Sequence, residues 1–259
     1  IEWELIVIDN YSSDDTIRLI KSFKDSRIKF YKIRNKGIHA KSRNLGIQTS
    51  KADWIAFLDS DDWWSSNKLK KCKNYFKNDV DLIYHDLEIA SNKPKLFKRK
   101  KIKTRQLRRP VLNDLLLSGN IISNSSVVVR KNLLISSGYL DERDSLVTVE
   151  DYHMWLKISK LTNKFFYLPL CLGYYFEHEQ NLSNRNMSIP SRNAVNEFKQ
   201  FLTVKENLKL EANIKYMNGK FLYKNKDFIK ARKDLLFVLK NGNRALKINS
   251  LIIILIIIF

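Results

Sequence analysis

Residues 54–64, WIAFLDSDDWW, restrict the fold more than any other stretch of this chain. Five consecutive apolar residues, 54–58, predict a strand buried on both faces, and the run stops at three carboxylates, Asp59, Asp61 and Asp62. The acids therefore fall at a strand's carboxyl end, the edge of an open α/β sheet at which ligands bind. Two carboxylates about 4 Å apart repel by roughly 4 kcal/mol at an effective dielectric of about 20, so a cation is expected to hold them together. A hard divalent ion, Mg²⁺ or Mn²⁺, suits oxygen ligands and keeps positions open for substrate phosphates. The same segment also reads as a helix start, with Asp62 or Ser65 capping a helix that Leu69, Cys72, Tyr75 and Phe76 continue.

Strand and helix patterns alternate around this stretch. Residues 4–8, ELIVI, read as a central strand, and Ser12, Ser13, Asp14 and Asp15 as a helix start. Ile17, Leu19, Ile20 and Phe23 form the apolar stripe of that first helix, and residues 27–33 alternate as a second strand. A helix over 39–47, a strand over 80–84, a helix over 111–117 and a strand over 126–129 follow, then a turn at 138–142. Glu150 and Asp151 open a helix with Met154, Trp155, Ile158 and Leu161 on its apolar face, and residues 165–168 and 171–176 supply the last strands. This order predicts an α/β fold whose mixed, mostly parallel sheet carries helices on both faces. From about residue 190 only helical patterns remain, including a hairpin over 216–223 and 227–239. Two domains are expected, an α/β domain over 1–189 and a helical extension over 190–259.

Charge narrows the partners. The net charge is +20, and residues 93–109 hold ten Lys or Arg and no acid, which attracts phosphorylated substrates, anionic membrane or nucleic acid. Phe97 is the one aromatic residue in that run, too few to stack single strands, so no specific nucleic acid is expected. Residues 251–259 are all apolar. As a helix they span about 13 Å against roughly 30 Å of bilayer core, too short to cross as they stand; they read as an interfacial anchor, a truncated span or a strand-prone core piece, and Lys240, Arg244 and Lys247 ahead of them favour peripheral membrane contact. Cys72 and Cys171 lack metal-type spacing and fit a reducing compartment, hence a cytoplasmic protein at the inner membrane face. Four Asn-x-Ser triplets, at Asn10, Asn124, Asn181 and Asn186, are expected to stay unmodified there. The chain opens on Ile1 in what reads as mid-fold, which suggests a missing N-terminal segment.

Four segments stand in order: VIDNYSSDDT (7–16), GIHAKSRNLGI (37–47), IAFLDSDDWW (55–64) and EDYHMWLKI (150–158). Together they resemble the inverting glycosyltransferases of family 2, which have the GT-A fold, over roughly residues 1–185. The family's earlier strand and Pro-x-Tyr/Phe-Asn loop are not found here, in keeping with an N-terminal truncation. The resemblance implies a nucleotide-diphosphate sugar donor, a UDP-sugar first, and a glycan or glycolipid acceptor. By the same resemblance Asp9 matches the acid that binds the nucleobase, Arg43 the arginine at base or diphosphate, Asp59 the ribose contact, Asp61 the metal ligand and Asp151 the catalytic base. Glu150, Asp62, Lys41, Asn44 and Trp64 are further candidates beside them, and His178 a candidate contact to metal or diphosphate. Asn10 and Tyr11 stand where the family often has Asp and Gly, and Tyr11 suits a turn poorly if that turn needs φ > 0.

The chemistry is coherent on its own terms. A departing nucleoside diphosphate gains negative charge that a divalent ion offsets, while a carboxylate on the opposite face accepts the acceptor hydroxyl's proton. Asp151, at a helix start, is expected to be kept ionised by the helix dipole. Single displacement predicts inversion at the anomeric carbon. Two rival functions would draw on parts of the same sequence pattern. A sugar nucleotidyltransferase also pairs acids with metal but normally carries a glycine-rich phosphate loop, and no G-x-G cluster occurs here. A basic module binding nucleic acid or anionic lipid through residues 93–109 would ignore Asp61 and lose affinity steeply with salt.

Overall fold

The computed structural model describes residues 2–77, 79–91, 100–179 and 181–258; the first part of the basic run, residues 93–99, lies outside them. In chain order the elements are β1 (Leu5–Asp9), α1 (Thr16–Ser22), β2 (Ile28–Lys32), α2 (His39–Thr49), β3 (Trp54–Ala56), β4 (Trp63–Trp64), α3 (Lys68–Lys73), β5 (Leu82–Ala90), β6 (Lys101–Ile102), α4 (Val111–Ser118), β7 (Val128–Arg130), α5 (Lys131–Ser136), α6 (Glu150–Leu161), β8 (Phe165–Phe176), α7 (Ser188–Val195), α8 (Val204–Lys224), α9 (Phe228–Asn241) and α10 (Arg244–Ile258). They fall into two compact units: Ile1–Gln106 with Ile122–Glu177, and Leu107–Ile121 with His178–Phe259. The division thus falls at residues 177/178, not 189/190, and α4 belongs to the second unit.

In the first unit β1 and β2 pair in parallel, Leu5 opposite Ile28 through Asp9 opposite Lys32. A second sheet runs β3-β7-β5-β8-β4, with β6 beside β5. The sheet is mixed: the β5–β8 ladder is parallel, and the shorter β3–β7, β5–β7, β5–β6 and β4–β8 ladders are antiparallel. The two long parallel ladders carry most of the paired residues, which makes this the α/β class expected from the pattern. Cys72, Val80, Ile83, Val128, Leu168 and Leu172 form a buried cluster beneath β3, β5, β7 and β8, with Trp54 stacked on Phe76 at 4.1 Å between ring centres.

Three local expectations are corrected. The apolar run 54–58 is not a strand buried on both faces: β3 pairs over three residues, stands at an end of the strand order, and leaves Leu58 exposed. Its single partner among the described residues is β7, so its other edge carries no ladder to extend it. Nor is β1 central, since β2 is its one partner among them. The intended stripe of α1 is not buried either; Leu19 and Phe23 face solvent, and no residue of that helix is buried.

α6 follows the expected amphipathic pattern, burying Met154, Trp155 and Ile158 while Leu161 at its end is exposed. Trp155 meets Phe57 edge-on at 6.1 Å. That contact positions the site: Asp59 lies two residues beyond Phe57, and Asp151 one helical turn before Trp155.

The second unit is helical. α8 starts at a capping box in which Thr203 and Glu206 satisfy each other's backbone N–H groups, and α9 at the Asp227 carboxylate. Gly219 lets these helices approach closely, because a Cβ there would sit 3.0 Å from the Leu235 side chain. The apolar tail continues as α10, with Ser250 and Ile254 buried and Ile248, Leu251, Ile252, Leu255, Ile256 and Ile258 exposed. Among the described residues no helix is long and apolar enough to cross a membrane.

Candidate active site

Antiparallel register builds the acidic loop. Ala56 pairs with Val128, and the Phe57 N–H donates to the Val127 carbonyl at 3.2 Å. Two residues further on, Asp59 faces the 3-10 turn Asn124–Ser126. Its N–H donates to Ser125 Oγ at 3.0 Å, and Asn124 Nδ2 donates to its Oδ1 at 2.7 Å. The Ser125 carbonyl is held in turn by Trp64 Nε1 at 2.8 Å and by Lys68 Nζ at 2.9 Å. Lys68 is buried with its ammonium 3.7 Å from the centre of the Trp64 ring, and burial pushes its pKa down to about 7. Asp62 accepts the Phe176 N–H at 3.0 Å. Burial, with the charges of Asp59 and Asp61 added, pushes its pKa up to about 6 against the hydrogen bonds from Ser125 and Phe176. Asp61 is exposed at the tip of the loop.

Arg43 joins this loop to the head of α6. Its guanidinium donates to Asp59 Oδ1 at 2.8 Å and to Glu150 Oε1, bridging carboxylates from distant parts of the sequence. Burial opposes its charge, but Asp59, Glu150 and Asp151 more than compensate and hold it firmly protonated. Glu150 is buried, His39 Nδ1 lies 3.9 Å from its Oε1, and its Oε2 has no hydrogen-bond partner among the described residues. Asp151 accepts the Tyr152 N–H at 2.7 Å. Its pKa is pushed up to about 7 by burial first and then by Glu150 and Asp59, against Arg43 and the Tyr152 N–H. The expectation that the helix dipole keeps Asp151 ionised is therefore corrected: burial beside a second carboxylate outweighs the dipole.

Asp9 ends β1 as a buried carboxylate that accepts the Ser12 N–H at 3.0 Å and its hydroxyl, with Lys32 Nζ at 4.0 Å. Asn10 Oδ1 accepts the Asn35 N–H at 3.0 Å, and Asn35 Nδ2 donates to Ser42 Oγ at 2.9 Å, so this loop is tied to α2. Tyr11 does adopt φ +59°, contrary to what its side chain favours. The cost of roughly 1–2 kcal/mol is partly offset by Arg34 and Lys32, whose cations lie 4.8 and 5.2 Å from the ring centre.

The structure thus gathers Arg43, Asp59, Glu150 and Asp151, with Asp61 and Asp62 on the same loop as Asp59. Asn44 is turned elsewhere: its amide donates to the Leu140 carbonyl and Glu142 and accepts the Leu140 N–H, clamping the turn before α6. Trp64 holds Ser125, Lys41 is half-buried on α2, and His178 belongs to the second unit. Asn124, Ser125 and Lys68 escaped the sequence reading. Asn124 showed there as an Asn-x-Ser triplet alone, and Lys68 is one of four lysines in a six-residue helix.

A cation would relieve the repulsion from Asp59 and Asp61 that adds to burial in raising the Asp62 pKa. Among the described residues no group of three or more His, Cys, Asp or Glu is disposed to hold a metal ion. One or two loop carboxylates, Asp61 foremost, remain as donors. That set fits Mg²⁺ or Mn²⁺ shared with phosphate oxygens and water better than an ion caged by protein alone.

Comparison with known proteins follows the same lines. Residues 1–141, over half the chain, match the family described as Glycosyl transferase family 2. UDP-Glc:alpha-D-GlcNAc-diphosphoundecaprenol beta-1,3-glucosyltransferase WfgD of Escherichia coli is 33% identical over 162 residues, 62% of this chain and 60% of that protein. Among solved structures, S. aureus TarS 1-349 in complex with UDP superposes with a TM-score of 0.56 at 17% identity, covering 95% of this chain and 79% of that one. The mannosyltransferase PcManGT from Pyrobaculum calidifontis, in complex with GDP-Man and Mn²⁺, gives 0.56 at 12% identity over 99% of this chain and 71% of that one. At these identities the structures establish a shared GT-A fold. The chain spans about 60% of the length of the E. coli relative.

Proposed function

The chain belongs to glycosyl transferase family 2, and from that premise we propose that it is a glycosyltransferase that moves a sugar from a nucleotide-diphosphate sugar, a UDP-sugar first, to a hydroxyl of a lipid-linked or cell-surface glycan, with inversion. The observation that carries this reading is the Arg43 bridge, which sets a phosphate-binding type of cation between Asp59 and the Glu150–Asp151 pair. Asp9 and Arg43 would bind base and diphosphate, Asp59 the ribose. Asp61 is the residue that would hold Mn²⁺ or Mg²⁺, whose charge would offset that of the leaving diphosphate.

Asp151 would take the proton of the attacking hydroxyl. A carboxyl near pKa 7 is half ionised at neutral pH and is a stronger base than an ordinary aspartate, which suits general-base work. Glu150 keeps Arg43 oriented and raises the basicity of Asp151 by its charge. The acceptor class is supported by the diphosphoundecaprenol substrate in the name of the E. coli relative. Contact with the cytoplasmic membrane face is supported by the exposed apolar side of α10, with Lys240 and Arg244 at its approach. Family membership favours glycosyl over nucleotidyl transfer, and over a purely basic binding module.

The test is release of UDP from UDP-glucose and UDP-N-acetylglucosamine with Mn²⁺ and an N-acetylglucosaminyl diphosphate carrying a short alkyl tail. Asp151→Asn is expected to lower kcat by about 10²- to 10⁴-fold, and Asp61→Ala to remove the response to Mn²⁺. Wild-type transfer by both variants would show the reading to be wrong.

A further inference from the structure

The tryptophan doublet at residues 63–64 divides its labour. Successive side chains of a strand point to opposite faces. Trp64 turns inward, its Nε1 donating to the Ser125 carbonyl. Trp63 turns outward and is 43% exposed. It stands directly across from Tyr174 in the β4–β8 ladder, ring centres 5.2 Å apart and planes within 18° of parallel, with Phe176 6.2 Å away. Trp63 is thus the exposed member of a three-ring cluster beside the acidic loop, with Tyr174 stacked behind it and half-buried.

This cluster and the acids are one piece. Trp63 follows Asp62 directly, and the backbone N–H of Phe176 fixes the Asp62 carboxylate at 3.0 Å. An apolar plane beside exposed carboxylate oxygens matches a pyranose ring. The sugar's C–H face carries partial positive charge and lies against the negative face of an indole, while its hydroxyls donate to carboxylates at the rim.

Strand order decides which sugar. β3 and β4 occupy opposite ends of the sheet, and Arg43, with Asp59 and Glu150, gathers at the β3 end. A nucleotide on the Arg43 side leaves the β4 side for the other substrate. We propose that Trp63 and Tyr174 form a stacking platform for a pyranose ring of the acceptor. The proposal rests on the glycosyl-transfer reading and adds a binding subsite to it.

Calorimetry on wild-type, Trp63→Ala and Trp63→Phe proteins would test it, with UDP and the N-acetylglucosaminyl diphosphate alkyl probe titrated separately. Trp63→Ala is expected to weaken probe binding about 10-fold, with Trp63→Phe within about threefold of wild type and UDP affinity unchanged in both. Trp63→Phe keeps a ring at the position and so separates loss of stacking from loss of fold. Equal probe affinity in wild type and Trp63→Ala would overturn the platform, as would UDP affinity falling in step with the probe or wild type failing to bind the probe. Trp63-dependent probe binding by a protein that transfers no sugar would remove the transferase reading and leave the platform standing.

Discussion

Asp61 and Asp151 are carboxylates of the same site, yet one stands in water at a loop tip while the other is packed at the head of a helix with Glu150 beside it. The loop acids have abundant hydrogen-bond donors: Asn124 and Arg43 for Asp59, Ser125 and the Phe176 N–H for Asp62. Glu150 and Asp151 both lie in the field of Arg43, and a buried Glu150 oxygen lacks a hydrogen-bond partner among the described residues. Environment therefore separates the tasks. An exposed carboxylate at a loop tip can be reached by a metal ion and its phosphate ligands, while Asp151, crowded by burial and by Glu150, holds its proton until near neutrality and so works as a base.

The largest way to break this contrast is to remove the shared cation. Arg43→Met would leave Glu150 and Asp59 without it and is expected to cost about 3–5 kcal/mol in urea unfolding, whereas Asp61→Asn at the loop tip should stay within about 0.5 kcal/mol. Equal effects of the two substitutions would mean that burial does not distinguish the acids. A smaller effect concerns pH. Folding raises the Asp151 pKa from 3.8 to about 7, so the native state binds a proton that the unfolded chain releases. The stability associated with that proton is fully present below about pH 4 and is lost as pH rises through about 7, at no more than about 1.4 kcal/mol per pH unit. Asp151→Asn is expected to flatten the fall in urea midpoint between pH 5 and 8; an unchanged slope would place the proton elsewhere.

Legibility in the sequence follows the same contrast between local and distant causes. α6 was readable because Met154, Trp155 and Ile158 repeat at helical spacing after two acids, and α2, α4 and the α8–α9 hairpin were readable for the same local reason. The pairing of β3 with β7 carries no local signal, and it alone brings Asn124 and Ser125 to Asp59. Lys68 sits in KLKKCK, a string that looks like a solvated face, and is fully buried beneath Trp64. Leu19 and Phe23 show the opposite failure, since a helical apolar stripe has to find a partner surface and theirs is exposed. The candidate acids were all visible as motif members; the raised pKa of Asp151 was not, because it depends on neighbours that folding supplies.

The most direct measurement is the pH dependence of kcat/KM for wild type and Glu150→Gln. Gln retains a hydrogen-bond acceptor for Arg43 but removes the like charge that helps hold Asp151 protonated. Wild type should lose activity as pH falls through about 7, and Glu150→Gln should carry that acid limb to lower pH. An acid limb that stays in place in Glu150→Gln, or that persists in the residual activity of Asp151→Asn, would contradict Asp151 as the base.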